Sequence, residues 1–294
     1  MTKKIETTVD KLIAKEIKKN SNQIRSALIE PLSDDYRWST NGLYFLCARM
    51  GGGKTYTIMR HIMITERLFA EPYYDTIIFT STSGSLDKTV SSLQGQIRTP
   101  LTYVDDVNLV QYLTKHLRNK MKWYAVMEFI NSGGKEISEL MQHILDKHRM
   151  YKFVKGKKVI DIKRVLMYGE AKAAQYGFSH YPTNTLLVMD DFATNPLLKK
   201  VDSPLIGMLT KTRHYHLTGI VVAQTFRFIQ LNLKRLCTDI AIWAGFSMED
   251  FQKMVTQTPC SQDWRVLWDR YKNLKDKHSK MVIHCTTDEV VFDE

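Results

Sequence analysis

Leu43–Thr55 reads LYFLCARMGGGKT, an apolar run that passes into three glycines, a lysine and a threonine. A polyphosphate needs several backbone N–H groups converging on its oxygens, and only a turn poor in Cβ atoms lets the chain come that close. Gly51, Gly52 and Gly53 supply such a turn, and a helix opening near Lys54 aims its positive end at the same anion. In a loop of this kind Lys54 reaches the β- and γ-phosphates and the Thr55 hydroxyl holds Mg²⁺. The predicted polyphosphate contacts run from Met50 through Tyr56. The usual spacing, G-x-x-x-x-G-K-[ST], is kept except at its first position, which is Ala48.

A second chemical signal is Thr185–Asp191, TLLVMDD, four apolar residues ending in two acids. A strand buried on both faces reads as a continuous apolar run, and ligands of open α/β sheets bind at the carboxyl edge. Asp190 is placed there to hold the water shell of Mg²⁺, and Asp191 to orient or deprotonate an attacking water. Many core strands end in Asp, so the run gains its meaning from the phosphate loop upstream. Ser132–Glu136, SGGKE, imitates that loop but lacks a Ser/Thr after the lysine, and is expected to be a helix start.

These residues need a scaffold. Short apolar runs predict strands at 43–48, 76–80, 186–190, 218–224 and 239–244, with a weaker one at 101–104. Helical periodicity covers 55–69 and 107–120. The chain closes in a predicted hairpin, 281–285 with 289–292. Strands alternating with helices predict an α/β fold, a mostly parallel sheet flanked by helices. Residues 1–30 read as a basic amphipathic helix docked on the body, 31–250 as the nucleotide-binding domain, and 251–294 as a C-terminal helical segment and hairpin.

Composition narrows the classes. With 42 Lys+Arg against 31 Asp+Glu the 294-residue chain carries +11, and 44% hydrophobic with 25% charged residues is globular composition. No uncharged apolar run approaches the roughly 18–20 residues of a membrane span, and the charged start predicts no secretory signal. Four separated cysteines, Cys47, Cys237, Cys260 and Cys285, predict reduced thiols rather than a disulfide scaffold. Residues 111–165 alone hold thirteen Lys/Arg and five Asp/Glu, a surplus of +8. Trp123, Tyr124, Tyr151 and Phe153 interleave with those charges, so the region reads as a basic insertion. Lys152, Lys155, Lys157 and Lys158, around Gly156, are expected in a loop that meets either solvent or the phosphates of double-stranded DNA. The tract 270–280 is a second basic candidate.

Taken together, Ala48–Thr55, Leu186–Asp191 and Thr212–Thr225 (TRHYHLTGIVVAQT) resemble the FtsK–HerA superfamily of P-loop ATPases, and within it the viral genome-packaging ATPases of poxviruses, other large DNA viruses, virophages and Polinton-type elements. The resemblance implies an added-strand P-loop fold, in which the strand ending at Gln224 lies between the phosphate-loop strand and the Asp190 strand. It implies that Gln224 contacts the γ-phosphate or the lytic water, and that Arg213 is an arginine finger reaching a neighbouring subunit, with Arg227 and Arg235 as runners-up. Many relatives place Glu where this chain has Asp191, so the base must sit closer to the water or Glu170 must help.

The implied function is an ATP-hydrolysing motor that moves DNA into a capsid as a homo-oligomeric ring of five or six subunits. A capsid or portal-type vertex protein would be a partner, in host cytoplasm or a viral factory. A helicase or DNA-transfer motor of the same superfamily is the first alternative. A non-enzymatic nucleic-acid-binding protein with a degenerate nucleotide site, favoured by Ala48, is the second. No Asn-Lys-x-Asp motif supports a GTPase.

Overall fold

A computed structural model describes residues 11–15, 31–33, 36–82, 91–93, 95–178, 181–224, 227 and 229–293. The chain divides into two compact units, one from 27–110 with 184–294 and the other from 1–26 with 111–183.

The larger unit is organised by an eight-stranded sheet. Its strands are β3 (Leu43–Cys47), β4 (Thr76–Ser81), β5 (Leu101–Tyr103), β8 (Thr185–Asp190), β9 (Leu217–Ala223), β10 (Asp239–Trp243), β11 (Lys280–His284) and β12 (Glu289–Asp293), in the order β12-β11-β10-β3-β9-β8-β4-β5. From β10 through β5 every pairing is parallel, and β11 and β12 extend the β10 edge antiparallel. All residues of β3, β4, β8, β9 and β10 are buried, as parallel strands covered on both faces must be. The strand of Gln224 lies between the phosphate-loop strand and the Asp190 strand, as the resemblance implied.

Period-two alternation divides the sheet residues between two faces. Tyr44, Leu46, Ile77, Phe79, Leu186, Val188, Ile220 and Val222 share one face and pack on Ile58 and Ile62 of α1 (Lys54–Leu68). Each aliphatic side chain so buried contributes roughly 2–3 kcal/mol. Polar contacts fix the helix further. His61 of α1 bonds the Tyr36 hydroxyl through Nδ1 at 2.8 Å and the Tyr74 hydroxyl through Nε2 at 3.0 Å. Burial pushes the His61 pKa down to about 3, so the ring is neutral and donates through one nitrogen only. A short hairpin, β1 (Pro31–Ser33) with β2 (Tyr36–Ser39), carries Tyr36. The sequence predicts only a helix end at Pro31 and 33–35 there, because strands of three and four residues fall below a detectable period.

Asp239 joins three segments of this unit. Fully buried, it accepts hydrogen bonds from the Ser39 backbone N–H at 3.2 Å and the Thr238 hydroxyl at 2.8 Å, and faces His284 Nδ1 at 2.7 Å. His284 therefore serves the β10–β11 edge.

The smaller unit holds the part of α2 (Asp106–Asn131) from residue 111 onward, then α3 (Glu139–Lys147), the hairpin β6 (Tyr151–Val154) with β7 (Lys157–Ile160), and α4 (Ile162–Tyr176). Two expectations change here. The helix predicted at 107–120 runs on to Asn131, because Trp123, Val126 and Phe129 continue its buried face. Gly133 and Gly134 end that helix rather than starting the next. Their φ values are 65° and 80°, and the Gly134 N–H bonds the Phe129 carbonyl at 2.8 Å, a left-handed C-cap. The next helix starts six residues after Gly133, at Glu139, capped by Ser138, whose Oγ accepts from the Met141 N–H.

The basic loop of the sequence reading is also regular. Lys155 (φ 49°) and Gly156 (φ 74°) are the two turn residues of the β6–β7 hairpin. Of the predicted N-terminal helix only 11–15 is described. Those residues are helical, Ile13 is buried, and Lys15 donates to Glu139 at 2.5 Å. The rest of that expectation lies outside the described residues.

Asp239→Ala leaves the Ser39 amide, the Thr238 hydroxyl and the His284 imidazole short of a buried partner. Urea unfolding should register a loss of about 3 kcal/mol. A loss under about 0.5 kcal/mol would show that the three-way junction carries little of the fold.

Candidate nucleotide site

The parallel register brings three strand ends to one level. Cys47 is opposite Ala223, and Met189 is opposite Val221, so Ala48, Gln224 and the Asp190–Asp191 pair emerge along one sheet edge. The Ala48 N–H donates to the Ala223 carbonyl at 3.2 Å, extending the ladder to the point where the phosphate loop departs.

The loop turns back at once. The Gly52 N–H bonds the Arg49 carbonyl at 3.2 Å, and Gly53, at φ 98°, caps α1 from the left-handed region. A Cβ on Gly52 would lie 2.9 Å from the Ala48 Cβ and 3.2 Å from the Arg49 carbonyl oxygen, so only glycine fits there. Ala48 itself is buried with negative φ, so it needs no glycine. The departure from the usual spacing therefore leaves the turn intact, and the close approach is transferred to Gly52.

Lys54 and Thr55 open α1, with Met50 and Tyr56 exposed on either side. Lys54 Nζ donates to the carbonyls of Ala48 at 2.8 Å and Arg49 at 3.1 Å, lying across the mouth of its own loop. Burial lowers its pKa, against the opposing pull of Asp191 and Asp190. That pull runs both ways, since Lys54 in turn lowers the pKa of Asp190. The glycine loop and the acids that close β8 thus form one electrostatic site.

Asp190 is buried. Desolvation first, and the charge of Asp191 second, raise its pKa to about 6, while Lys54 and the Asp191 backbone N–H pull it down. Asp191 adopts φ 50°, which costs a non-glycine residue about 1 kcal/mol. The Thr82 hydroxyl, just beyond β4, donates to its carbonyl at 3.0 Å, and Gln224 Nε2 donates to its Oδ1 at 3.2 Å. The twist turns Asp191 out of the strand line and toward β9. The first acid is thereby buried, and the second is held by an amide at the rim. Asp190 with the Thr55 hydroxyl is an all-oxygen donor set, which suits a hard divalent cation such as Mg²⁺.

The other predicted residues divide. Gln224 is at the site. Arg213 is exposed on α5 (Thr212–Tyr215), which precedes β9, while Gln224 follows it. The seven residues of β9, at ~3.3 Å each, put them roughly 20 Å apart. Arg213 therefore lies at the opposite end of β9 from the phosphate loop of its own chain. Arg227 pairs with Asp250 at 3.0 Å. Glu170 lies on α4 in the other unit.

Sequence reasoning missed Thr82, Trp243 and His278. Trp243, at the end of β10, and His278 lie beside the loop, where a Cβ on Gly53 would stand 3.8 Å from the indole nitrogen and 3.5 Å from His278 Nδ1. With Tyr56, Arg60 and Lys280 they line a cavity of about 500 Å³. A tryptophan ending a predicted strand was visible in the sequence, but that its strand is the neighbour of β3 was not.

No family model and no curated protein matches the chain. Among solved structures it is similar to EssC (ATPases 2 and 3) from Geobacillus thermodenitrificans, with 11% identity and a TM-score of 0.51, over 88% of this chain and 40% of that one. It is similar also to B204, the DNA-packaging ATPase from Sulfolobus turreted icosahedral virus, with 12% identity and a TM-score of 0.48, over 87% and 98%. B204 from Sulfolobus turreted icosahedral virus 2, in complex with ATPγS, gives 12% and 0.47 over 86% and 96%. At these identities the likeness speaks to fold alone, the α/β fold with a mostly parallel sheet flanked by helices that the chain shares with EssC.

Because the folded pKa of Asp190 lies above its unfolded value, its ionisation costs stability that is absent below pH ~4 and fully felt above pH 6. Asp190→Asn should therefore stabilise the nucleotide-free protein at pH 7.5 by about 2 kcal/mol, with the gain fading as pH falls from 6 toward 4. Urea denaturation at both ends of that range checks it, and destabilisation at pH 7.5 would contradict the burial argument.

Proposed function

We propose that the chain hydrolyses ATP and uses the cycle to translocate double-stranded DNA, as a ring-forming motor for packaging a viral genome. One observation carries the hydrolytic part: the glycine loop with Lys54 after β3 and the Asp190–Asp191 pair at the end of β8 emerge at one sheet edge, and Gln224, at the end of the strand between them, bonds Asp191.

The chemistry follows from what each group can do. The amides of Gly51–Lys54 and the N-terminus of α1 take the phosphate oxygens, and Lys54 exchanges two carbonyl contacts for the β- and γ-phosphates. Asp190 and Thr55 would hold Mg²⁺, which neutralises phosphate charge when bound. Asp191 orients the attacking water and accepts its proton, and Gln224 fixes the Asp191 carboxylate while its carbonyl oxygen remains available to the same water. A water-directed pair of this kind favours hydrolysis over transfer to a small-molecule acceptor.

Support for DNA as the partner comes from charge. The β6–β7 hairpin presents Lys152, Lys155, Lys157 and Lys158 around an exposed Phe153 and a tight turn, with Lys158 Nζ 3.8 Å from the Tyr151 ring centroid. A lysine-rich projection rewards contact with a phosphate backbone without regard to sequence. The second basic tract is less available. Lys272 pairs with Asp269 at 2.6 Å, Arg270 stacks on Phe292 and Lys280 binds Asp293. A ring is the arrangement in which Arg213, too far from its own cleft, reaches a neighbour's nucleotide, where its fixed charge suits a transferring phosphoryl group.

Phosphate release, measured with and without duplex DNA, tests the proposal. Lys54→Ala should abolish turnover, and Asp191→Ala should lower it about 10²–10⁴-fold with nucleotide still bound. Duplex should stimulate the wild type and lose its effect as salt rises. Mixing Arg213→Ala with Lys54→Ala subunits should restore part of the activity. DNA binding with no turnover under any condition would favour a non-enzymatic nucleic-acid-binding protein, and strand separation on a forked duplex a helicase.

A further inference from the structure

The smaller unit contains a cavity of about 150 Å³, lined by α2, the end of α3 and α4. Asn119, Lys122 and Trp123 face it from α2 at i, i+3 and i+4, the spacing that places side chains on one helix face. Tyr168, Lys172 and Tyr176 face it from α4 at i, i+4 and i+8, and Lys147 with His148 closes it from the end of α3. Helices α2 and α4 come close at Gly169, where an added Cβ would lie 3.3 Å from the Trp123 ring.

Lys122, Lys147, Lys172 and His148 border this space, and among the described residues its lining includes no Asp or Glu. The buried Trp123 Nε1–H has no hydrogen-bond acceptor. An indole N–H is a donor only, and leaving it unpaired costs about 1–3 kcal/mol. Lys172 lies 5.7 Å from the Tyr168 ring and 5.6 Å from the Tyr176 ring, and gives one bond to Gln175 at 2.7 Å, out of the three an ammonium can donate. The His148 pKa is lowered by burial first and then by Lys147, Lys172, Lys122 and His143, with the Tyr168 ring 4.7 Å away. The C-terminus of α3 adds a partial negative charge of about one half, less than the full charge of either Lys147 or Lys172.

We propose that this cavity is a binding site for a single phosphate group, held by Lys147 and Lys172 with the Trp123 indole N–H as a neutral donor. Its volume is below the ~300 Å³ at which pockets begin to enclose whole small-molecule ligands. It therefore takes one tetrahedral anion rather than a nucleotide. The phosphate is either a backbone group of duplex DNA or the free ion. The assignment rests on the smaller unit alone and is independent of turnover at the β3–β8 edge.

The test follows histidine side-chain NMR signals of the full-length protein, with His148 assigned by loss of its peak in His148→Gln. His278, beside Gly53, reports phosphate arriving at the glycine loop instead. Added inorganic phosphate, against chloride at matched ionic strength, should shift the His148 titration midpoint upward, because an anion offsets the charge of Lys147 and Lys172. The shift should vanish in Lys147→Gln/Lys172→Gln, and in Lys172→Gln alone if the double variant folds poorly. Duplex DNA that produces the same shift and competes with phosphate identifies a backbone group as the ligand. A shift with phosphate and none with duplex identifies the free ion. A His148 signal that moves with neither, while His278 responds, would overturn the assignment.

Discussion

One ammonium and two carboxylates, drawn to a common edge of a buried sheet, set the terms for everything else in the larger unit. Lys54 is held by two backbone carbonyls of its own loop, Asp190 is buried at the cost of a raised pKa, and Asp191 stands in a left-handed conformation pinned by Thr82 and Gln224. None of these is a comfortable resting arrangement. In the proposed function, a ligand that brings negative phosphate to the lysine and a cation to the acids would offset the charge gathered there. The remainder of the sheet, from the Asp239 junction to the His61 contacts that orient α1, keeps the opposing groups from relaxing apart.

The parts legible in the sequence are those whose physics is local. Three glycines before Lys-Thr can be read because no other residue permits that backbone path, and the fully buried strands because apolar runs are continuous where both faces are covered. The placement of Gln224 followed from resemblance rather than spacing, since strand order is decided by contacts among residues more than thirty positions apart. For the same reason Thr82 and Trp243 were not identified, although both sit at strand ends.

Local misreadings have local causes. Gly133-Gly134 stops a helix, but a glycine pair before a lysine looks the same as a helix start until the φ angles are known. The lysines around Gly156 looked like a loop because charge hid the two-residue turn between β6 and β7. The long α2 was cut short at Lys120, where a run of charges interrupts the apolar stripe that Trp123 resumes. Lys120 is itself fully buried. Ala48 seemed a threat to the phosphate loop, and its Cβ turns out to be accommodated because Gly52 has none.

The shared site is tested most directly by the metal dependence of nucleotide affinity, read by calorimetry with ATPγS in the presence of Mg²⁺ or EDTA. If the acids of β8 serve the phosphates held after β3, Mg²⁺ tightens binding about tenfold or more in the wild type, and Asp190→Asn removes that gain while leaving the metal-free affinity within a few-fold. An equal response to Mg²⁺ in wild type and variant would contradict it, because the two elements would then act on separate ligands.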